Sequence, residues 1–163
     1  MKHCLGFLMW VFALLFLNSC DEDDDIVIDY VPVEFTISVQ NPAGSNLLDA
    51  SVPGNVLDES ISITYKGQDY DMAVWDGSRL LPPYWYGLVL QNNAGSVPRL
   101  HVGQFDGVSR HEVYVLKIGS REYDISFDAK FKSGGDVSRT FYLNGKKQKV
   151  DEVKPAYTIV INK

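Results

Sequence analysis

From Val33 onward, apolar residues return at every second position in short runs, and most runs end at glycine, asparagine or proline. Successive side chains on a strand point to opposite faces, so this period sets one apolar face per strand against a core and one polar face in water. Phe35, Ile37 and Val39 share a face of the first strand. Ile61, Ile63 and Tyr65, then Lys66-Gly67, then Tyr70, Met72 and Val74 predict a tight hairpin. Leu88 with Leu90, and Leu100 with Val102, mark two further strands. Val113 and Val115, a turn at Gly119-Ser120, and Tyr123, Ile125, Phe127 and Ala129 predict a second hairpin. Phe141 and Leu143 lead into Asn144-Gly145, the pair that tolerates the positive φ of a type I′ turn. Tyr157, Ile159 and Ile161 close the chain.

No stretch of about eleven residues beyond the first thirty keeps a helical period. Roughly eight to ten short, regularly spaced strands predict an all-β fold, an antiparallel β-sandwich of immunoglobulin-like or transthyretin-like character, with a small closed β-barrel as the alternative. The connection from Asn41 to Ser60 is rich in turn formers, and Leu47-Leu48 is expected to pin it to the core.

The first residues obey a different rule. Lys2 and His3 precede an apolar run from Leu5 to Leu17, thirteen residues long. A spanning helix needs about 20, so the run has the length of a signal-peptide core. It ends in Leu17-Asn18-Ser19-Cys20, which resembles the lipobox of bacterial lipoproteins. That resemblance implies cleavage before Cys20, with the Cys20 thiol alkylated by a diacylglyceryl group and the freed amine open to acylation. At about 0.8 kcal/mol per buried CH₂, two or three such chains hold a protein at a membrane essentially permanently. Asp21-Glu22-Asp23-Asp24-Asp25 follows at once, a run that repels itself into an extended spacer. It also resembles the surface-export signal of Bacteroidota-type lipoproteins, although in enteric-type bacteria an aspartate after the cysteine resembles an inner-membrane retention signal. Gly44-Ser45-Asn46-Leu47-Leu48-Asp49 is similar to the G-x-N-L-L-D segment of small Bacteroidota lipoproteins, a resemblance that spans Val33 to Val74 and implies no activity. The expected organisation is a signal peptide over 1–19, a lipidated cysteine with an acidic tether over 20–32, and one β-sandwich domain over 33–163. The expected location is the outer membrane, with the domain exposed at the cell surface.

Cleavage would leave 144 of the 163 residues, and a chain of that size buries about 68% of its unfolded surface, enough for a core without staples. Of the 21 acids, six lie between Asp21 and Asp29, which leaves 15 against 14 Lys and Arg from Tyr30 onward. This near-neutral domain has no basic stripe, so no nucleic-acid partner is expected. Lys146, Lys147 and Lys149 suit a solvated edge strand instead. The chain has two cysteines, Cys4 in the signal and Cys20 at the lipid site. The domain therefore lacks disulfides, thiolate zinc sites and a cysteine nucleophile.

Candidate sites are few. Trp75-Asp76-Gly77-Ser78-Arg79-Leu80-Leu81-Pro82-Pro83-Tyr84-Trp85-Tyr86 holds both tryptophans that follow the signal. Tyr84, Trp85 and Tyr86, with Arg79, could stack against sugar faces or a protein partner, because aromatics give large contact area at low entropy cost. The plainer alternative is that Trp75 and its neighbours fill the core. His101, Asp106, His111 and Glu112 would approach one another if the strands flanking Asp106-Gly107 formed a hairpin, but His111 and Glu112 are adjacent and point to opposite faces. Asp69 and Asp71 alternate on one strand, with Asp76 beyond, and suit a solvent face better than a calcium cage. Neither metal nor cofactor is expected. No G-x-S-x-G elbow or phosphate loop occurs, and no catalytic residue is assigned. The expected function is a surface-tethered, non-enzymatic binding or scaffolding module, held to a membrane by lipid and meeting a glycan or a cell-surface protein. The alternatives are a structural subunit of an envelope or fimbrial assembly, or a small glycan hydrolase.

Overall fold

A computed structural model of the chain describes residues 33–75, 86–93, 95–105, 111–131, 137–151 and 155–162. Residues 1–32, residue 163 and the residues between these spans lie outside it.

The described residues form β1 (Val33–Gln40), β2 (Ile61–Tyr65), β3 (Gln68–Asp71), β4 (Ala73–Trp75), β5 (Gly87–Gln91), β6 (Arg99–Phe105), β7 (His111–Ile118), β8 (Arg121–Phe131), β9 (Val137–Leu143), β10 (Lys146–Lys147) and β11 (Ala156–Val160). They make two sheets, ordered β11-β1-β6-β5-β4 and β10-β9-β8-β7-β2-β3, with no helix and no closure into a barrel. The fold is a β-sandwich, and the barrel alternative falls.

Alternation decides which residues lie between the sheets. On β1, Val33, Phe35, Ile37 and Val39 are buried while their neighbours are half-buried. On β7 the buried set is Glu112, Tyr114, Leu116 and Ile118, so Val113 and Val115 face outward. Ile125, Phe127, Phe141, Tyr157 and Ile159 complete the inner faces. Aromatic rings join the two layers. Phe35 meets Tyr157 edge-on at 5.4 Å and reaches across to Tyr114 at 5.3 Å. Tyr114 stacks on Tyr65 at 4.8 Å, and Phe105 of the opposite sheet packs on Tyr65 at 4.6 Å. Such pairs add about 0.5–1.5 kcal/mol each beyond the area they bury.

The turns form where their residues permit. Lys66-Gly67 (φ 48° and 79°) and Asn144-Gly145 (φ 49° and 71°) both sit in the left-handed region that a two-residue hairpin turn requires. The connection after β1 caps one end of the sandwich. Leu47 donates its N–H to the Val39 carbonyl, and Leu47, Leu48 and Val56 plug the core from above.

Three details differ from the sequence expectation. The first hairpin stops at Asp71, where its partner runs out: Met72 still bonds to Ile61, the first residue of β2, and the chain then crosses to the other sheet. Val74 is therefore in β4, paired with β5 and 60% exposed, and not on the hairpin's buried face. The sandwich is not purely antiparallel, because β11 pairs in parallel with β1 and β4 with β5. Finally, β6 and β7 belong to different sheets, so no hairpin joins them across 106–110.

Replacing Leu48, fully buried in the cap, by alanine is expected to cost about 2–5 kcal/mol. Val97→Ala, at a side chain 62% exposed, is expected to stay within about 0.5 kcal/mol. Urea unfolding of both variants checks the pair. Equal losses would contradict the role of the cap.

Candidate functional site

At one end of the sandwich the margins of the two sheets part. The inner face of β3 carries Tyr70, and the chain re-enters the opposite sheet at Tyr86-Gly87. Gly87 has a φ of +115°, which L side chains rarely adopt, and a Cβ there would stand 3.6 Å from the Tyr70 side chain. The kink presents the Tyr86 ring edge-on to Tyr70 at 5.4 Å and to Phe105 at 4.8 Å. The Tyr70 hydroxyl donates to that of Tyr86 at 3.4 Å. Tyr86 remains 46% exposed. Between these strands lies an open groove of about 500 Å³, lined by Asp69, Tyr70, Asp71, Met72, Tyr86 and Leu88 among others.

The groove has an apolar floor, and Asp69 and Asp71 border it with side chains that alternate to the face of β3 opposite Tyr70. Asp69 accepts from the Thr64 hydroxyl and pairs with Lys117 Nζ at 3.2 Å. The Thr64 bond first, and Lys117 second, hold its carboxyl below the usual range, so it stays ionised through neutral pH. Asp71 is exposed two residues on, on the same face of β3.

Further in, Glu112 is only 4% exposed and its Oε1 lies 4.0 Å from Lys66 Nζ. It stands beside the Tyr65 phenol, which burial pushes above its ordinary value. The sequence carried a signal for this carboxylate: it shares the parity of Tyr114, Leu116 and Ile118. Sequence reasoning weighed Glu112 only as a metal ligand.

The two histidines do not converge. His101, on β6, is mostly buried, with Nε2 3.9 Å from Glu34 Oε2. Burial depresses its pKa and the Glu34 charge partly opposes that shift. His111, on the other sheet, is 60% exposed and contacts Asp128 Oδ1 through Nδ1 at 2.6 Å. That bond, with help from Tyr142, holds Asp128 below the carboxylate range. His111 and Glu112 do point to opposite faces. Among the described residues, no group of three or more His, Cys, Asp or Glu is placed to hold a metal ion.

Of the residues expected to recognise a ligand, Tyr86 is placed on the groove. Arg79, Tyr84 and Trp85 lie outside the described residues, as do Asp76, Asp106, Cys20 and Asp21, Glu22, Asp23, Asp24 and Asp25. Trp75 is half-buried at the end of β4 and takes no part in the central core. Tyr70, Asp69 and Asp71 were not anticipated as groove residues, because the groove exists only where β3 of one sheet meets β5 of the other. Val33 is paired with Phe105, so the chain enters the sandwich at the end that carries Tyr86.

No family model matches the chain, and neither does any curated protein or solved structure.

The environment of His101 gives a pH-dependent expectation. Its NMR titration midpoint should lie below the ordinary value of about 6.5, and Glu34→Gln should lower it further, because the opposing charge is then gone. A depressed folded pKa means that the unfolded chain takes up the proton first. Acidification below about 6.5 should therefore favour unfolding, with this contribution lost in variants lacking His101. A midpoint that rises in Glu34→Gln would contradict the assignment.

Proposed function

We propose that the chain is a surface lipoprotein, anchored through Cys20, whose sandwich is a non-enzymatic binding module with the Tyr70–Tyr86 groove as its recognition surface. The observation that carries the binding reading is the Tyr86 ring, held edge-on by Phe105 and Tyr70 yet 46% exposed at the groove. A fixed, half-exposed ring gives contact area without ordering cost, and the C–H face of a sugar matches it. The phenol hydroxyls of Tyr70 and Tyr86, with the Asp69 carboxylate at the groove's border, match the sugar's hydroxyl groups. A glycan is therefore the ligand class we favour. Arg79, Tyr84 and Trp85 precede Tyr86 closely in sequence and are the residues best placed by sequence to extend that surface.

The electrostatics favour binding over hydrolysis. A glycosidase needs one carboxylic acid with a raised pKa to protonate the leaving oxygen. Asp69 is shifted the other way and engaged by Lys117. The anchor reading rests on sequence: the short apolar core, Leu17-Asn18-Ser19-Cys20 and the acidic run behind it. Under that reading the tether leaves from the groove's end of the domain.

Two outcomes are expected. Growth with a fatty-acid analogue should label the full chain and not Cys20→Ser, and equal labelling of the variant would remove the anchor from the account. On a glycan array, Tyr86→Ala should lose roughly tenfold or more in retention, the loss of about 1.4 kcal/mol of binding, while circular dichroism shows that the variant remains folded. Unchanged retention, or no glycan retained by the folded parent, would contradict the glycan reading.

A further inference from the structure

Sheet margins expose unpaired main-chain groups, and proteins ordinarily guard them with charge, proline or shortness. Three of the four margins here are guarded in that way. β3 carries Asp69 and Asp71, β10 is Lys146-Lys147, and β4 is only three residues long. The fourth, β11, reads Ala156-Tyr157-Thr158-Ile159-Val160 and carries no charge, glycine or proline.

Its hydrogen bonding is also one-sided. Thr36 donates to the Pro155 carbonyl at 2.9 Å, and Ile161 donates to Gln40 at 2.8 Å. The parallel register with β1 thus turns the odd-numbered residues of β11 inward along the ladder. Ala156, Thr158 and Val160 direct their N–H and C=O groups to the free margin. Their side chains are exposed, Val160 at 53%, while Tyr157 and Ile159 are anchored in the core.

We propose that the β11 margin binds the β11 margin of a second copy, antiparallel across a two-fold axis at Thr158, fusing two five-stranded sheets into one of ten strands. The sequence is self-complementary about that residue. Thr158 meets Thr158 and Ala156 meets Val160, pairing the smallest exposed side chain with the largest, through about six main-chain hydrogen bonds. The same operation on β10 would bring Lys146 and Lys147 against themselves. The contact is short compared with a standard interface, so it is weak in dilute solution and strengthened where copies are concentrated together. This pairing is independent of the groove and of its ligand.

Cross-linking of the full chain tests it. Across the axis, Cα atoms of a hydrogen-bonded pair lie about 5.5 Å apart, within disulfide reach of roughly 4.4–6.8 Å. Mild oxidation of Thr158→Cys should give a covalent dimer in which mass spectrometry finds peptides joined at position 158 of both copies. Val74→Cys, on the opposite margin of the same sheet, should give none joined at 74. Adding Val160→Pro to Thr158→Cys leaves the β1 ladder intact, since the 160 N–H points outward, but blocks the margin, and should cut the joined peptide roughly tenfold. Circular dichroism matching the parent confirms that each variant is folded. Should one misfold, sedimentation of the parent chain in detergent over rising protein concentration decides between a reversible dimer, which supports the pairing, and a monomer at every concentration, which overturns it. A joined peptide at 158 no more abundant than that at 74, or one undiminished by Val160→Pro, overturns it as well.

Discussion

The contact of Tyr114 and Tyr65 on one sheet with Phe35 and Phe105 on the other fixes the distance and angle between the layers. The domain contains no cysteine beyond Cys20, so no covalent bond shares that load. Its consequences run outward from the core. Phe105 is both a core ring and the floor beneath Tyr86, so the packing that joins the sheets also orients the exposed ring at the groove. Tyr157, at the far side of the same layer, holds β11 against Phe35 and Phe141. Burial pushes its phenol well above the ordinary value, and its hydroxyl makes no hydrogen bond among the described residues. An unpaired buried hydroxyl costs about 1–3 kcal/mol, a cost set against the area its ring buries.

Much of the architecture was legible because strand alternation and turn chemistry act locally. The inner faces of β1 and β11, and the two left-handed turns, follow from neighbouring residues alone. What could not be read were choices that depend on distant partners. The crossing at Met72 happens because β2 begins at Ile61 and offers nothing further to pair with, a fact about strand lengths and not about Met72. The parallel pairing of β11 with β1 joins the two ends of the domain. Val113 and Val115 have the more strand-like side chains, yet Tyr114, Leu116 and Ile118 win the core because they bury more area in register with the facing sheet. The same logic explains the site. Tyr86 stood out by its company in the sequence, whereas Tyr70 and Asp69 become groove residues only through a contact between sheets.

Charge is distributed to match. Apart from the buried Glu112, the described acids and lysines occupy sheet margins, loops and outer faces, and ion pairs such as Asp69–Lys117 and Glu59–Arg121 are exposed or half-exposed. Surface pairs of this kind contribute little to stability, about 0–1 kcal/mol. Their effect here is to define edges, and the one edge they leave unmarked is β11. The groove and that edge lie toward opposite margins of the first sheet, so the proposed ligand binding and the proposed self-pairing call on different strands.

The central claim is that recognition occurs at the end of the sandwich where Tyr86 rests on Phe105. The direct test is an amide-resolved NMR titration of the folded domain with a glycan that it retains. The account predicts shifts concentrated at Tyr70, Met72, Tyr86 and Gly87, with the opposite end, around Leu47, Gly119 and Asn144, unmoved. Shifts centred on that opposite end would contradict it.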